Sequence, residues 1–247
     1  MKVGAIIQAR TGSTRLPNKV LMPLKDKTVL EHVIDRVSQS KLIDEIIVAT
    51  TTKSHDDKII KLLRELKIST FRGSENNVLE RYYEASKKYQ LNTIVRITSD
   101  CPLIDPRIID KVIHKFLSNN YDLVTNAGLD SKNRTFPRGL DVEVFSFDSL
   151  KNANIHGNKD YHKEHVTPFI YETSRKIHYF KQHKDYSSYR LTIDTELDYE
   201  LIKAIYNHFY SGENDFYLED IIDFLDDNPK IAAINVNIQQ KKLARDL

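Results

Sequence analysis

The sequence predicts an α/β fold in which a largely parallel sheet is covered by helices on both faces. Short apolar runs of strand length alternate with longer segments whose apolar residues recur at helical spacing, and this βαβαβ order fills about the first 125 residues. None of the 247 residues belongs to a repeat or to a linker rich in glycine, serine and proline. We therefore predict a single domain over residues 1–247, with an irregular inserted arm at about residues 128–186.

The elements before the arm follow from these patterns in chain order. The apolar run Val3–Gln8 predicts the first strand, and Thr28 with Glu31 has the spacing of a capping box at the start of the first helix. Pro106 occupies a position typical of the first turn of a later helix. The other elements predicted here are strands at 45–50, 68–72, 93–98 and 121–125 and helices at 54–66 and 78–88.

The arm and the segment after it are less regular. A helix is expected at about 163–172, between strands at 142–146 and 176–180. The run Tyr-Arg-Leu-Thr-Ile predicts a buried strand at 189–193. The predicted order ends with helices at 197–210 and 218–225.

Composition and charge exclude several classes of function. With 37 basic and 35 acidic residues the formal net charge is +2, so there is no basic excess to indicate a nucleic-acid partner. No apolar run is long enough to span a bilayer, and the first apolar run is too short, and lacks a small-residue cleavage site, for a signal peptide. Cys101 is the single cysteine, which excludes an internal disulfide and a thiolate metal cluster. We therefore expect a cytoplasmic protein with no nucleic-acid partner and no membrane partner.

The loop after the first strand reads QARTGSTRLPNK over residues 8–19 and predicts a phosphate site. Its small residues let backbone N–H groups approach an anion, and Arg10, Arg15 and Lys19 can neutralise several phosphate charges. Neither of the two common glycine-rich phosphate motifs is present. The alternative is a solvated basic loop that only links a strand to a helix. In either case we expect Lys19 near the surface.

Two aspartates follow apolar segments, at positions where ligands bind in open α/β sheets. Asp100 comes directly after the strand predicted at 93–98, and Asp194 ends a later apolar run. Because the carboxyl ends of neighbouring parallel strands meet at one edge, both carboxylates are expected in one crevice, where they would hold Mg²⁺ together with substrate phosphates. The alternative at the second position is that Asp194 or Thr195 caps the next helix. Cys101 is interpreted as a small buried side chain rather than a nucleophile.

The arm contains a further group of polar residues whose pattern is weak. Arg138, Asp141 and Glu143 stand close together in sequence and are followed by His162 and His165. The spacing of the two histidines permits a metal pair, but without further spaced ligands we reject a zinc site.

Several motifs together resemble one family. IIQAR at 6–10 and STRLPNKVL at 13–21 are similar to the N-terminal signature of the cytidylyltransferases, which include the spore-coat polysaccharide protein SpsF and the enzymes that make CMP-activated acidic sugars. Asn18 stands where most such signatures have glycine, and asparagine also adopts the left-handed conformation that such a turn can need. The other matching motifs run in family order over nearly the whole chain and are closest to the SpsF-like branch: GS at 73–74, VLERY at 78–82, RITSDCPLI at 96–104, GLDVEVF at 139–145, EHVTP at 164–168 and LTID at 191–194.

The resemblance implies a Rossmann-like nucleotidyltransferase fold of the GT-A type. Such a fold has three layers around a mostly parallel mixed sheet, with an arm that often forms a homodimer. The resemblance also implies CTP as the donor, Mg²⁺ as the cofactor and a small acidic or phosphorylated acceptor. The chain would then be a CTP-dependent cytidylyltransferase of surface polysaccharide or glycoconjugate biosynthesis, and the residues implied to be catalytic are Arg15, Lys19, Asp100 and Asp194.

Further site residues are implied by matching motif positions one by one. Asp100 and Asp194 become the metal ligands. The residues implied to lie near the acceptor are Arg138, Asp141, Glu143 and His165. The residues implied to bind the nucleotide are Ala9, Arg10, Thr11, Gly12, Ser13, Arg15, Lys19, Ser74, Arg81, Thr98, Ser99 and Asp100.

Two other functions are weighed against this one. A glycosyltransferase of the same fold would use a nucleotide sugar, but such enzymes usually hold their metal with a D-x-D triplet, and none occurs near the strand end at Asp100. A non-catalytic nucleotide-binding subunit would not need both aspartates and all three loop cations. Pyrophosphate release separates a cytidylyltransferase from both alternatives. A sugar hydroxyl as the acceptor would need activation, for which Asp141 or Glu143 is the available carboxylate.

Overall fold

Seven strands form the central sheet of the computed structural model, which describes residues 1–128 and 131–240. Two further short strands pair with each other outside this sheet. In chain order the strands are β1 (Val3–Gln8), β2 (Pro23–Leu24), β3 (Lys27–Thr28), β4 (Glu45–Thr51), β5 (Ser69–Gly73), β6 (Thr93–Thr98), β7 (Leu123–Thr125), β8 (Glu143–Ser146) and β9 (Ile177–Tyr179). Across the central sheet the order is β5-β4-β1-β6-β8-β7-β9.

Helices complete the layers on either side of the sheet. In chain order they are α1 (Val29–Ser38), α2 (Asp57–Glu65), α3 (Val78–Lys88), α4 (Pro106–Leu117), α5 (Phe147–His156), α6 (Asp160–His165), α7 (Pro168–Thr173), α8 (Glu196–Phe209), α9 (Leu218–Asp227) and α10 (Pro229–Ala232). Single 3-10 turns occur at Lys19–Leu21, Ser54–Asp56 and Ser131–Asn133. Within the described ranges, no helix combines the length and the apolar character that crossing a membrane requires.

The pairing confirms a mostly parallel mixed sheet between two helical layers. β1 pairs in parallel with β4 and β6, whereas β8 is inserted antiparallel between β6 and β7. Alternate residues of β1 face different hydrophobic clusters: Ala5 and Ile7 pack with residues of α1, α2 and α4, and Ile6 packs with residues of α3 and α5. Because both faces are covered, residues 3–7 are all buried, as expected of a central strand in a parallel sheet.

Most elements predicted before the arm are confirmed. β1, α3 and β6 have the predicted bounds. The capping box at the start of α1 is present, since the Thr28 side chain accepts from the Glu31 amide and the Glu31 carboxylate accepts from the Thr28 amide. In these elements hydrophobic periodicity and local capping chemistry agree with the tertiary fold, and the sequence alone therefore predicts them.

The prediction of a strand at 189–193 is wrong. Residues 190–193 are buried, but within the described part of the protein the segment forms no strand and has a single parallel bridge, between Arg138 and Arg190. Its amides donate to carbonyls outside the sheet, at Arg138 (2.7 Å) and Asp100 (2.9 Å). Gly139 permits this crossing, because it has a φ of +98° and a Cβ there would lie 2.3 Å from the Leu191 carbonyl oxygen. Apolar residues bury the segment, but they do not determine which backbone it pairs with.

The helix predicted at about 163–172 is two helices, α6 and α7. Pro168 has no amide hydrogen to continue the α6 ladder and starts α7 instead. Val166, between them, has a φ of 72°, which lies outside the helical region. Helix α5 was not predicted. Ser146 caps it by accepting from the Ser149 amide, yet its apolar residues are too few to show a helical period.

Candidate functional site

The loop after β1 lies at the carboxyl edge of the sheet and is anchored by a buried aspartate. Asp56 accepts hydrogen bonds from the Thr11 amide (2.8 Å) and the Thr11 hydroxyl (2.7 Å), and the Thr51 hydroxyl donates to its other carboxylate oxygen. Burial disfavours the charged form, but these hydrogen bonds outweigh it and keep the pKa of Asp56 below its usual value. Asp56 was not predicted as a site residue, because an aspartate at the start of a helix has the pattern of a cap.

The end of the same loop turns inward. Asn18 has a φ of 58°, in the left-handed region, and its amide donates to the Thr11 carbonyl at 2.9 Å. The left-handed conformation expected of asparagine at this position is therefore confirmed. Leu16 and Val20 are buried on either side of the turn. Lys19 follows the turn and is directed into the protein.

Lys19 joins the two aspartates predicted as metal ligands. Its Nζ atom donates to Oδ2 of Asp100 at 2.6 Å, to Oδ1 of Asp194 at 2.8 Å and to the carbonyl oxygen of Ile193 at 2.8 Å. The expectation that Lys19 lies near the surface is wrong, since its side chain is only 11% exposed. The cause is the Asn18 turn, which points the ammonium group at the carboxyl edge of the sheet rather than at solvent.

The charges of this cluster stabilise one another. Burial alone would lower the pKa of Lys19, but Asp100 and Asp194 raise it above its usual value. Burial would raise the pKa of Asp100, but the Lys19 ammonium and hydrogen bonds from Thr98 and Cys101 lower it to about 2. Near neutral pH the cluster therefore contains an ammonium ion beside an ionised Asp100.

The second oxygen of Asp194 is held by two arginines. Arg15 contacts Oδ2 of Asp194 at 2.9 Å from the loop side, and Arg190 contacts the same atom at 2.7 Å from the interior. The capping alternative applies to Thr195 alone: its side chain accepts from the Asp198 amide at the start of α8. The side chain of Asp194 is thus free of a capping role and faces the cluster. Arg190 was not predicted as a site residue.

The other loop residues predicted to bind the nucleotide are less constrained. Arg10 is exposed, and its guanidinium lies 4.0 Å from Glu75. Gly12 is exposed, and a Cβ there would meet no atom closer than 3.7 Å, so the loop surface around it is open. Ala9 continues the edge of the sheet by donating to the Ala49 carbonyl, and Ser13 donates its amide to the Thr11 carbonyl. The backbone in this region is exposed beside two arginines, as an anion site requires.

Two side chains near the loop, Arg81 in α3 and Gln8 at the end of β1, each have a buried polar atom without a hydrogen-bond partner among the described residues. Arg81 is buried and donates to the Ser74 carbonyl at 2.9 Å, while its Nε atom has no hydrogen-bond partner among the described residues. The same holds for Oε1 of Gln8, at the end of β1. The Ser99 amide donates to the Gln8 carbonyl at 3.3 Å. Arg81 Nε is therefore a buried donor, and Gln8 Oε1 a buried acceptor, that no other group in the described part of the protein uses.

Cys101 is a buried structural residue, as predicted. Its thiol contacts the Thr98 hydroxyl at 3.1 Å, and Asp100 lies beside it. Burial and the negative charges of Asp100 and Asp141 raise the pKa of Cys101 well above its usual value. A thiol in this state is a poor nucleophile.

The residues predicted near the acceptor differ in how their charges are satisfied. Asp141 is paired with both terminal nitrogens of Arg134. Arg138 is half-buried, and its guanidinium makes no hydrogen bond or ion pair with another described residue. Burial and the like charges of Arg134 and Arg190 lower the pKa of Arg138, and Asp141 opposes this. Arg138 therefore lies in a locally positive region.

Glu143 and the two histidines of the arm have other surroundings. Glu143 is buried, and it accepts from Arg96 at 2.5 Å, Thr167 at 2.9 Å and Tyr171 at 2.8 Å. Its contacts tie α7 to the sheet and leave no open face for a proton transfer. His162 is buried against Glu172 at 3.0 Å, and His165 ends α6, with its ring 3.9 Å from Glu164.

Asp100 and Asp194 are the residues that fit a divalent cation. Both offer hard carboxylate oxygens, and both already converge on one positive group, the Lys19 ammonium. No group of three or more histidine, cysteine, aspartate or glutamate side chains with metal-site geometry occurs within residues 1–128 and 131–240. Two carboxylates are nevertheless the usual protein share of a Mg²⁺ site that is completed by water and phosphate oxygens.

Comparison with known proteins identifies the family of the chain. The cytidylyltransferase family model matches residues 4–223. An uncharacterised protein of Methanocaldococcus jannaschii is 45% identical over 98% of this chain and 97% of its own length, and the Bacillus subtilis spore coat polysaccharide biosynthesis protein SpsF is 34% identical over 92% and 95%. The solved structure of a cytidylyltransferase from Leptospira borgpetersenii is 38% identical and superposes with a TM-score of 0.88, covering 98% of this chain and 99% of that one. The chain therefore belongs to the cytidylyltransferase family and, within it, is SpsF-like.

Proposed function

We propose that this protein transfers CMP from CTP to a small acceptor bearing an acidic group, with release of pyrophosphate. The observation that carries the proposal is the cluster in which Lys19 joins Asp100 and Asp194 beneath the basic loop after β1. Similarity to SpsF supports a place in the biosynthesis of a surface polysaccharide or other glycoconjugate. The acceptor is a sugar acid, a phosphate or a phosphonate.

The loop and the cluster have separate tasks in this reaction. Arg10 and Arg15, with the exposed backbone around Gly12, would bind the triphosphate. An acceptor oxygen then attacks the α-phosphorus, the bond to the β-phosphate oxygen breaks and pyrophosphate leaves with its negative charge. Lys19 and Arg15 would stabilise that leaving charge. Little covalent work falls to the protein, so positioning and charge neutralisation supply most of the rate.

Mg²⁺ fits the same cluster. Asp100 and Asp194 would hold the ion, and when bound it would supply positive charge to the phosphates. Arg15 and Lys19 contact oxygens of these aspartates. We expect a bound nucleotide to draw at least one of these cations from a carboxylate to a phosphate, which is an exchange between two similar charge-assisted contacts.

The acceptor side would select an anion. Arg138 is the arginine there whose guanidinium has no partner among the described residues, and Arg134 and Arg190 add positive charge around it. An ionised phosphate or carboxylate acceptor needs no base. For a sugar hydroxyl, Asp141 is the better proton acceptor than Glu143, because Glu143 is buried and already accepts three hydrogen bonds. We also propose that the arm at about residues 128–186 carries the acceptor site and the contact of a homodimer.

Pyrophosphate release tests this function directly. Purified protein with CTP and Mg²⁺ is offered sugar acids, sugar phosphates and phosphonates, with ATP, GTP and UTP in place of CTP as matched controls. The proposal predicts pyrophosphate and a CMP-linked product from CTP and at least one acidic acceptor. Release of a nucleoside diphosphate from a nucleotide sugar would favour the glycosyltransferase instead. Nucleotide binding without turnover on any acceptor would favour a binding subunit.

A further inference from the structure

Arg190, outside the set of residues implied by the family motifs, connects the candidate metal ligand Asp194 to the interior of the protein. Its guanidinium contacts two carboxylates: NH2 lies 2.7 Å from Oδ2 of Asp194, while Nε lies 2.8 Å from Oδ1 of Asp198. Arg190 is buried, and its two partners stand four and eight residues further along the chain. We propose that Arg190 is a positioning residue that orients Asp194 so that Oδ1 faces Asp100; this rests on the proposed function.

Asp198 is the fixed point of this arrangement. It is completely buried, and besides Arg190 it accepts from the backbone amides of Asp194 and Thr195, each at 3.0 Å. It therefore restrains the backbone of Asp194 while Arg190 restrains its side chain. The guanidinium of Arg190 and the side-chain amide of Asn235 both donate to the Asp198 carboxylate, so Asp198 anchors Arg190 through direct hydrogen bonds.

A residue near the end of the described chain completes the support. The side-chain Nδ2 atom of Asn235 donates to Oδ1 of Asp198 at 2.8 Å and to the carbonyl oxygen of Arg190 at 2.9 Å. Asn235 is buried and follows α10, and Gln240, further along the same segment, accepts from NH1 of Arg190 at 2.5 Å, so the segment after the last helices is joined to the site through two side chains. Nothing in this geometry places Asn235 on the substrate, and its effect would pass through Arg190 and Asp198.

As a result, the two carboxylate oxygens of Asp194 have different partners. Oδ2 is held by Arg190 from behind, whereas Oδ1 is left to the Lys19 ammonium that Asp194 shares with Asp100. A planar guanidinium can reach two carboxylates at once, and a lysine ammonium at the same place cannot reproduce both contacts. Groups that orient metal ligands in this way typically contribute about 10- to 100-fold to metal affinity or activity.

The test compares Arg190→Lys and Asn235→Ala with matched buried controls elsewhere. Arg36→Lys is the control for the arginine, since Arg36 is fully buried and donates to the Phe216 carbonyl. Asn214→Ala is the control for the asparagine, since Asn214 is buried and contacts His32 and Tyr206. For each variant we would measure the unfolding temperature, the affinity for Mn²⁺ in the presence of CTP by the loss of the free-ion electron paramagnetic resonance signal, and kcat and KM for CTP separately.

Arg190→Lys is expected to weaken Mn²⁺ binding about tenfold and to lower kcat by about 10- to 100-fold, with KM for CTP little changed. Asn235→Ala should change both in the same direction but less, because Arg190 keeps its charge and both carboxylates. Both controls should lose stability without weakening Mn²⁺ binding. The proposal is overturned if Arg190→Lys folds and retains the Mn²⁺ affinity and kcat of Arg36→Lys. If Arg190→Lys does not fold, an Asn235→Ala variant that binds Mn²⁺ like Asn214→Ala overturns it.

Failure of the proposed function would give a different pattern. In that case the wild-type protein would release no pyrophosphate from CTP with any acceptor, whatever the state of Arg190. Mn²⁺ binding by the wild type and by Arg190→Lys would still be measured with CTP alone. A difference between the two would support the positioning role without the reaction, and equal binding would remove it.

Discussion

The proposed nucleotide side and the proposed acceptor side of the candidate site both contain arginines and carboxylates, but their charges are arranged differently. On the nucleotide side, Lys19 and Arg15 are already bound to Asp100 and Asp194. On the acceptor side, Arg138 has no hydrogen-bonding or ionic partner among the described residues. A ligand on the first side must take over existing contacts, whereas an anion on the second side adds a new one. Substitutions of the cations bound to these aspartates should therefore affect stability and catalysis together, and substitution of Arg138 should affect mainly acceptor binding.

The largest effect is expected from the two aspartates. Asp100→Asn or Asp194→Asn should each lower the rate of pyrophosphate release by about 100- to 1,000-fold, since each removes one of the two carboxylates proposed to hold Mg²⁺ beside the phosphates. Because the two build one site, the double variant should lose little more than either single variant. Losses that multiply would show that they act independently. Full activity of Asp194→Asn would leave this residue without a catalytic role.

The second effect sharpens the contrast between loop cations. Lys19→Met removes the ammonium between Asp100 and Asp194 and leaves two carboxylates together, which should lower the free energy of unfolding by about 3 kcal/mol at pH 7. Mg²⁺ should stabilise this variant more than the wild type, because it replaces the lost charge. Arg10→Met, at an exposed position, should leave stability unchanged. Urea unfolding with and without Mg²⁺ measures all three, and equal stability of the two variants would contradict the account.

The third effect is a dependence of stability on acid pH. The pKa of Asp100 is about 2 in the folded protein and 3.8 when unperturbed, so folding favours its charged form. The resulting stabilisation is complete above about pH 4 and is lost as the pH falls towards 2, for about 2 kcal/mol in all. Lys19→Met should lose less stability over this range, since the ammonium that lowers the pKa is gone. Parallel curves for wild type and variant between pH 5 and 2 would assign the dependence to other carboxylates.

The smallest effect is expected on the acceptor side. Arg138→Gln should raise KM for the acceptor about tenfold, the equivalent of one charge-assisted hydrogen bond, and leave KM for CTP unchanged. Stability should be maintained or slightly increased, because the like charges of Arg134 and Arg190 lose a neighbour. Steady-state kinetics with each substrate varied in turn provides the measurement. A change in KM for CTP without one for the acceptor would place Arg138 on the nucleotide side.

The same two regions show which features of the site can be predicted from the sequence and which cannot. Asp100 and Asp194 could be predicted as a pair because both follow apolar segments. The positions of the loop cations could not: Arg10, Arg15 and Lys19 look alike in sequence, yet their side chains are 46%, 37% and 11% exposed. The difference depends on the backbone turn at Asn18, which sends only the last of them inward.

Local sequence patterns also do not predict contacts between side chains that are far apart in the sequence. Arg190 precedes Asp194 by four residues and Asp198 by eight, a spacing that permits a shared guanidinium, but an arginine inside an apolar run has the pattern of a strand residue. The contact of Asn235 with Asp198 bridges 37 residues and has no local signal. Glu143 is similar, since its partners come from a strand and from the helix that starts at Pro168.

The central claim is that Asp100 and Asp194, which the Lys19 ammonium joins, form one cation site. Crystals of the protein with Mn²⁺ and a non-hydrolysable CTP analogue, measured at the manganese absorption edge, test it most directly. We expect one anomalous peak within coordination distance of both an Asp100 oxygen and an Asp194 oxygen, with the Lys19 ammonium moved from at least one of them onto a phosphate. Manganese bound away from either aspartate, with Lys19 still joining the two carboxylates, would contradict it.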